Sequence, residues 1–211
     1  IGDLEAPLPG VRWIHTDNLH LTLRFAGDVD NPVAREFAQF LSGIDVPAFE
    51  MRLEGLGTFG GKDPRALWAG VTAGPELETL ARACERAARA AGLKPEGRTF
   101  KPHVTIARLN KPRIEPLTRF LTRHARFRSD PFIVARFVLY SSKPLVGGGP
   151  YVVEEAYPLS GAAWEAFDLG EFVLGEHPAA GFVDADHLGD RSGGGLIVAG
   201  EHERLDAQIV Q

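Results

Sequence analysis

Two matching tetrapeptides carry the side chains best suited to chemistry in this chain. His20-Leu21-Thr22-Leu23 and His103-Val104-Thr105-Ile106 both read histidine, aliphatic residue, threonine, aliphatic residue. Since alternate residues of a strand point to the same face, each segment would present one imidazole beside one hydroxyl. If the two strands face each other, two proton-transfer groups and two hydrogen-bond donors converge on one point.

Such a set of groups suits the chemistry of a phosphodiester. An attacking water must lose a proton while the departing oxygen gains one, and histidine, with an unperturbed pKa of about 6.5, serves both steps. Threonine hydroxyls can hold the non-bridging oxygens, and an arginine can balance the charge that develops in the transition state. The scheme requires neither a metal nor a cofactor, and we expect neither.

The residues around both tetrapeptides resemble the paired HxTx signatures of the 2H phosphoesterases. Within that superfamily they are most similar to the bacterial RNA 2′,3′-cyclic phosphodiesterases, historically called 2′-5′ RNA ligases (the LigT or ThpR group). The resemblance rests on residues 18–25 and 100–108 and extends from residue 10 to about residue 160. Further matches are Trp13, Gly27, Asp28 and the segment 138–141.

This resemblance implies an α+β, bilobal fold with pseudo-twofold symmetry, in which two antiparallel sheets enclose a central groove and helices lie outside. It implies hydrolysis of a terminal 2′,3′-cyclic phosphate of RNA to a 2′-phosphate. By the same resemblance, His103 would accept a proton from water and His20 would donate one to the leaving 3′-oxygen. Thr22 and Thr105 would hold the phosphate.

The resemblance also implies that Arg108 contacts the phosphate and that Phe25 lies near the nucleotide. Strict strand alternation contradicts both roles, because each residue has the opposite parity from the histidine of its own strand. They reach the groove only if the strands end or bulge before them. Alternation instead puts Arg24 on the face of His20, where we interpret it either as added positive charge or as a solvated side chain.

Two other functions stay open beside hydrolysis. The same groups could join RNA ends through a 2′-5′ bond without ATP. The chain could also be a non-catalytic module that binds RNA or nucleotides, although the intact histidines and threonines argue against it. In each case the partner is RNA with a 2′,3′-cyclic phosphate end, or a related nucleotide.

Hydrophobic periodicity predicts the elements that must position the two motifs. Strands are expected over 19–25, 49–54, 66–73, 103–109, 132–140 and 151–157. Helices are expected after an Asn31 N-cap, over 77–91 with Gly92 as the stop, and over 116–124. A loop is expected over 57–64, and a flexible turn at 147–149. Strands interleaved with a few helices indicate the α+β class.

We predict a phosphoesterase domain over residues 1–161 and an acidic, Gly-rich, partly disordered tail over 162–211. The first segment carries 21 Lys and Arg against 18 Asp and Glu, and the second carries 2 Arg against 10 acids. The strand and helix that open the family are absent before Trp13, which predicts a sheet with an exposed edge. No leader or membrane-spanning run is found, so a cytoplasmic monomer is expected.

Other candidate residues are interpreted as structural. His15 is expected at the surface, His124 at a helix C-terminus, and Cys84 in the core. A loose group of residues in the tail resembles metal ligands but has no recognised spacing, so we interpret it as solvated. Its members are His177, Asp184, Asp186, His187 and His202.

Overall fold

The computed structural model describes residues 2–142, 151–161 and 196–201, the last of these as backbone only. Nine strands and three α-helices lie in these ranges. The strands are β1 (Val11–Trp13), β2 (Leu21–Gly27), β3 (Phe49–Phe59), β4 (Ala66–Ala73), β5 (His103–Leu109), β6 (Phe132–Val134), β7 (Arg136–Ser142), β8 (Tyr151–Pro158) and β9 (Leu196–Glu201). The helices are α1 (Asn31–Ser42), α2 (Pro75–Ala90) and α3 (Ile114–Arg123).

The strands form one curled antiparallel sheet in the order β6-β3-β4-β5-β2-β9-β7-β8. A single residue pair, Leu21 with Val104, joins β2 to β5. The sheet therefore consists of two halves, which we call the β5 half (β6-β3-β4-β5) and the β2 half (β2-β9-β7-β8). Strand β1 pairs with the later part of β5, beyond the point where β2 meets it. This architecture confirms the predicted α+β fold, and the two predicted antiparallel sheets are joined into one through this residue pair.

The helices cover one face of the sheet, which we call the core face. Their apolar stripes pack against Leu21 and Val104, the buried residues that lie between the histidine and the threonine of each motif. Burial of such stripes is the main force that holds helices to a sheet. The motif residues on alternate positions consequently lie on the opposite face, which we call the groove face.

Of the two helix-end residues predicted beside α1 and α2, Gly92 is confirmed as a stop and Asn31 is wrong as an N-cap. Gly92 has φ +86° directly after α2, as expected of a helix stop. The N-cap of α1 is Asp30 rather than the predicted Asn31, because the Asp30 carboxylate accepts a hydrogen bond from the Val33 amide at 3.3 Å. Asn31 and Pro32 then form the first turn, where proline needs no amide hydrogen.

Strand β3 extends further than its periodicity indicates. The segment 57–59, predicted as the start of a loop, pairs with β4 residues 66–68. Gly57 makes this possible, since a Cβ there would lie 2.3 Å from the Trp68 ring. The close packing of an indole over a glycine thus continues the strand where the sequence suggested a turn.

Strand β9 lies between β2 and β7 and pairs with both, so the predicted exposed edge does not lie beside β2. A strand from the C-terminal region thereby joins the same sheet as the two histidine motifs. The predicted turn at 147–149 and most of the predicted tail (162–195 and 202–211) lie outside the described residues, as do the five tail residues considered as metal ligands.

None of the helices in the described part of the chain is long and apolar enough to cross a membrane.

Candidate functional site

The register of the two motif strands brings their histidines and threonines together. From the Leu21–Val104 pair, one antiparallel step each way sets His20 opposite Thr105 and Thr22 opposite His103. Opposed residues have Cβ atoms about 5 Å apart, and diagonal neighbours lie roughly 7–8 Å apart. The two imidazoles are diagonal neighbours on the groove face, so a single phosphate fits between them.

Each histidine ring is held by the same contact. The Nδ1 atom of His20 lies 3.0 Å from the Asn18 carbonyl oxygen, and that of His103 lies 2.7 Å from the Lys101 carbonyl oxygen. A carbonyl oxygen only accepts, so Nδ1 must carry the hydrogen in both rings. This leaves Nε2 of each ring as the nitrogen that can take or give a proton in the groove.

The two histidines have different surroundings. Burial lowers the pKa of His20 below its usual value. The Nδ1 hydrogen bond to Asn18 opposes this effect, while the positive charges of Arg108 and His103 lower the pKa further. These electrostatic effects are consistent with His20, His103 and Arg108 lying at one site, since charges act strongly only over short distances.

A bulge in β5 turns Arg108 towards the groove. Leu67 of β4 pairs with Ala107, whereas the next residue, Trp68, pairs with Thr105, so Ile106 is left without a partner in β4. The extra residue reverses the alternation, and both Ile106 and Ala107 are buried. Arg108 therefore returns to the face of Thr105 and is exposed.

A bulge at the equivalent point of β2 does the same for Phe25. Thr22 and Arg24 pair with consecutive residues of β9, which leaves Leu23 as the extra residue. Phe25 is consequently 44% exposed on the groove face, not a core aromatic. Phe25 and Arg108 each follow their histidine by five positions, so the two motif strands repeat the same distortion.

The same bulge overturns both interpretations of Arg24. Its side chain lies on the core face and is only 6% exposed. Its Nε lies 2.6 Å from Glu85 Oε2 on α2, and Nη2 donates to the Lys94 carbonyl oxygen at 2.5 Å. The Nε–Oε2 contact is an ion pair without hydrogen-bond alignment. Arg24 thus ties β2 to α2 and adds no charge to the groove.

Four aromatic residues flank the histidines and were missed in the sequence. The His20 ring contacts the Tyr151 ring edge-on at a centroid distance of 4.5 Å, and Tyr140 lies at 6.0 Å. On the other side, the His103 ring meets Phe59 at 4.8 Å and Trp68 at 6.4 Å. Alternation in β3, β4, β7 and β8 gives these residues a face, but only the sheet order shows which motif they flank.

The remaining predicted residues lie away from the groove. His15 is 71% exposed and forms an ion pair with Asp17 at 3.2 Å. His124 is the C-cap of α3, as predicted. Cys84 is fully buried, which raises the pKa of its thiol to about 12. Within the described ranges no group of three or more His, Cys, Asp or Glu residues is arranged to hold a metal ion.

Comparison with known proteins gives a consistent result. The family model of the 2′-5′ RNA ligase superfamily matches residues 9–143. The RNA 2′,3′-cyclic phosphodiesterase of Aeropyrum pernix is 40% identical over 108 residues, which are 50% of this chain and 61% of that protein. The protein of the same name from Geobacillus stearothermophilus is 32% identical over 164 residues, 76% of this chain and 52% of that protein. The chain therefore spans between half and two thirds of the length of these two relatives.

A third relative is matched over more of its length. The RNA 2′,3′-cyclic phosphodiesterase of Aquifex aeolicus is 33% identical over 156 residues, 71% of this chain and 82% of that protein. Among solved structures, a protein of Thermus thermophilus superposes with a TM-score of 0.61 at 23% identity, covering 76% of this chain and 88% of that one. Escherichia coli LigT with 3′-AMP gives a TM-score of 0.58 at 24% identity, covering 75% and 86%. The chain belongs to the 2′-5′ RNA ligase superfamily of 2H phosphoesterases.

Proposed function

We propose that the protein hydrolyses a terminal 2′,3′-cyclic phosphate of RNA to a 2′-phosphate. The observation that carries the proposal is the diagonal pair His20 and His103, each with Nδ1 committed to a carbonyl and Nε2 available. Two such nitrogens on opposite sides of one phosphorus atom suit a displacement in which one proton is taken and another given. The naming of three relatives as RNA 2′,3′-cyclic phosphodiesterases supports the choice of substrate.

The proposed step needs only this chain and water. Nε2 of His103 takes a proton from water as the water oxygen forms a bond to phosphorus. The bond from phosphorus to the 3′-oxygen breaks, and protonated Nε2 of His20 gives its proton to that oxygen. The product carries a 2′-phosphate and a 3′-hydroxyl, and the choice of donor and acceptor follows the family resemblance.

The other groove residues have supporting roles in this proposal. The hydroxyls of Thr22 and Thr105 donate hydrogen bonds to the non-bridging oxygens. The Arg108 guanidinium balances the negative charge that grows on them in the transition state. Phe25 offers a ring face to the terminal nucleoside. The cytoplasmic location expected from the sequence suits an RNA substrate and stays a prediction.

The decisive assay uses an oligoribonucleotide that ends in a 2′,3′-cyclic phosphate, in the presence of EDTA. We expect a 2′-phosphate product, identified by its resistance to an enzyme that removes 3′-phosphates. His20→Ala and His103→Ala should each lower turnover by roughly 10²–10⁴-fold. His15→Ala, an exposed histidine, should leave it unchanged. Full activity in both groove variants would exclude the two-histidine mechanism, and a folded protein without product would favour a binding role.

A second function is favoured by the aromatic residues on both sides of the histidine pair. Tyr151 beside His20 and Phe59 beside His103 offer ring surfaces to nucleosides on both sides of the phosphate. Hydrolysis needs a nucleoside on one side only, whereas joining two RNA ends through a 2′-5′ bond needs both. Adding an RNA with a 5′-hydroxyl to the same assay, without ATP, would reveal ligation as a longer product.

A further inference from the structure

A row of residues crosses four strands beyond the histidine pair. The register pairs Phe59 with Ala66, Ala66 with Arg108, and Arg108 with Arg12 of β1. Paired residues in antiparallel strands project from the same face. The row consequently places Phe59, the small Ala66, Arg108 and Arg12 at successive positions on one face of the sheet.

This row lies on the groove face. The bulge at Ile106 returns Arg108 to the face of Thr105, and Arg12 must share the face of its partner. The neighbours of Arg12 on β1 point the other way, since Val11 and Trp13 pack against the core. Arg12 itself is exposed.

Arg12 is the direct neighbour of Arg108 across the β1–β5 pair. The register places the Cα atoms of the two arginines about 5 Å apart. The charge of Arg108 acts on the His20 ring, and Arg12 adds a second positive charge beside it on the groove face.

We propose that Arg12 binds the phosphate that links the cyclic-phosphate nucleotide to the nucleotide before it. This inference rests on the proposed function and makes it more specific, because the preferred substrate becomes an oligoribonucleotide rather than a cyclic mononucleotide. Arg108 holds the reacting phosphate from one side of the pair, and the planar guanidinium of Arg12 takes the neighbouring phosphate through two N–H groups.

The test compares two substrates with the same terminal base: a short oligoribonucleotide with a 2′,3′-cyclic phosphate end, and the corresponding 2′,3′-cyclic mononucleotide. Arg12→Gln should lower kcat/KM for the oligonucleotide roughly tenfold, as expected from the loss of one charge-assisted hydrogen-bonded contact, mainly through KM. The mononucleotide should be hydrolysed as by the wild type. The slope of log(kcat/KM) against log salt for the oligonucleotide should become shallower by about 0.7.

The matched control is Arg82→Gln, which removes an exposed arginine from α2 on the core face and should change neither substrate. Arg12→Lys should keep the salt slope and recover part of the lost affinity, which guards against a folding defect in Arg12→Gln. Equal losses for both substrates would overturn the proposal, as would no loss for either.

A binding measurement separates this inference from the proposed function. The fluorescence anisotropy of a labelled oligoribonucleotide with a 2′-phosphate end reports affinity even if the wild type hydrolyses neither substrate. Weaker binding and a shallower salt slope for Arg12→Gln alone would then support the phosphate contact while the hydrolase proposal fails. Equal affinity of the wild type and Arg12→Gln would overturn the contact, whatever the turnover.

Discussion

At the scale of single residues, the two histidines share a constraint but differ in environment. Both rings give their Nδ1 hydrogen to the carbonyl two positions earlier, so tautomer and ring direction are set by the chain just before each strand. The pKa of His20 is lowered, first by burial and then by the positive charges of Arg108 and His103. The free protein therefore holds His20 largely neutral near pH 7. If His20 is the proton donor, an anionic phosphate must first favour its protonated form.

The first prediction uses Arg108→Gln to identify the acid. Arg108 lowers the pKa of His20, so its removal should raise that pKa towards the ordinary value. If His20 is the proton donor, activity falls as His20 loses its proton, and the alkaline limb of the profile of kcat/KM against pH should move to higher pH. This profile reports the groups of the free enzyme.

The opposite assignment gives a different result. If His20 were the proton acceptor, the acidic limb would move to higher pH instead, because the acceptor must be deprotonated. Arg82→Gln, which alters an arginine far from the groove, should move neither limb. An NMR titration of the His20 ring in Arg108→Gln checks the direction of the pKa change directly, and an unmoved titration would contradict the electrostatic argument.

At the scale of elements, the bulges decide which side chains face the groove. Alternation in the sequence correctly placed His20 and Thr22 on one face, since they precede the distortion of β2. It failed for Arg24 and Phe25. Because Leu23 is the extra residue of the bulge, Arg24 lies on the core face and Phe25 on the groove face, each opposite to the prediction. Nothing in the local pattern of Leu21 to Phe25 marks the extra residue, because a bulge is defined by the partner strand, here β9.

The second prediction concerns Arg24. Arg24→Met would leave Glu85 without its ion-pair partner and Lys94 without a hydrogen-bond donor. Removing one member of a fully buried pair costs about 3–5 kcal/mol, and since the Glu85 side chain keeps 27% exposure, a loss of roughly 2–3 kcal/mol in the free energy of unfolding is expected. Arg82→Met, which breaks the exposed pair with Glu78, should cost less than about 0.5 kcal/mol. Urea unfolding measures both.

The third prediction takes the adjacent residue, which faces the other way. Phe25→Ala should change the free energy of unfolding little, because the ring is exposed on the groove face. It should raise KM for the cyclic-phosphate substrate about 5–150-fold, since stacking of a base on an aromatic ring contributes about 1–3 kcal/mol. A destabilised Phe25→Ala with unchanged KM would mean that the ring serves the core after all.

Elements that depend on local signals alone were predicted well. The bounds of β4 and β5 agree with the apolar pattern, and Gly92 ends α2. The bounds of β3 were wrong because its last residues, 57–59, depend on Trp68 packing over Gly57. Such contacts join residues that the sequence alone does not bring together, and the same holds for the aromatic residues beside the histidines.

At the scale of the whole molecule, the site lies where two sheet halves meet through one residue pair. Leu21 and Val104 provide the only pairing between β2 and β5 in the described residues, so the relative position of the two histidines depends on what holds each half together. The β5 half is held by long pairings with β4. The β2 half depends on β9, because β2 and β7 do not pair with each other directly.

The last prediction follows from that dependence. A chain that ends at Gly161 lacks β9, and the backbone groups of β2 opposite residues 196–200 lose their partners. We expect a lower unfolding midpoint and association through the open edges. Turnover should fall by more than the loss of folded protein explains. Leu21 and Thr22 pair with β9 directly, and His20 is the residue just before Leu21.

The matched control is a chain that ends at Glu201, which keeps β9 and removes only residues 202–211. It should retain the unfolding midpoint, the size in solution and the turnover of the full chain. If both shortened chains behaved like the full protein, β9 would have no part in the working sheet. If only the chain ending at Gly161 were impaired, and a synthetic peptide of residues 194–203 restored its turnover, the strand would be shown to act by completing the β2 half.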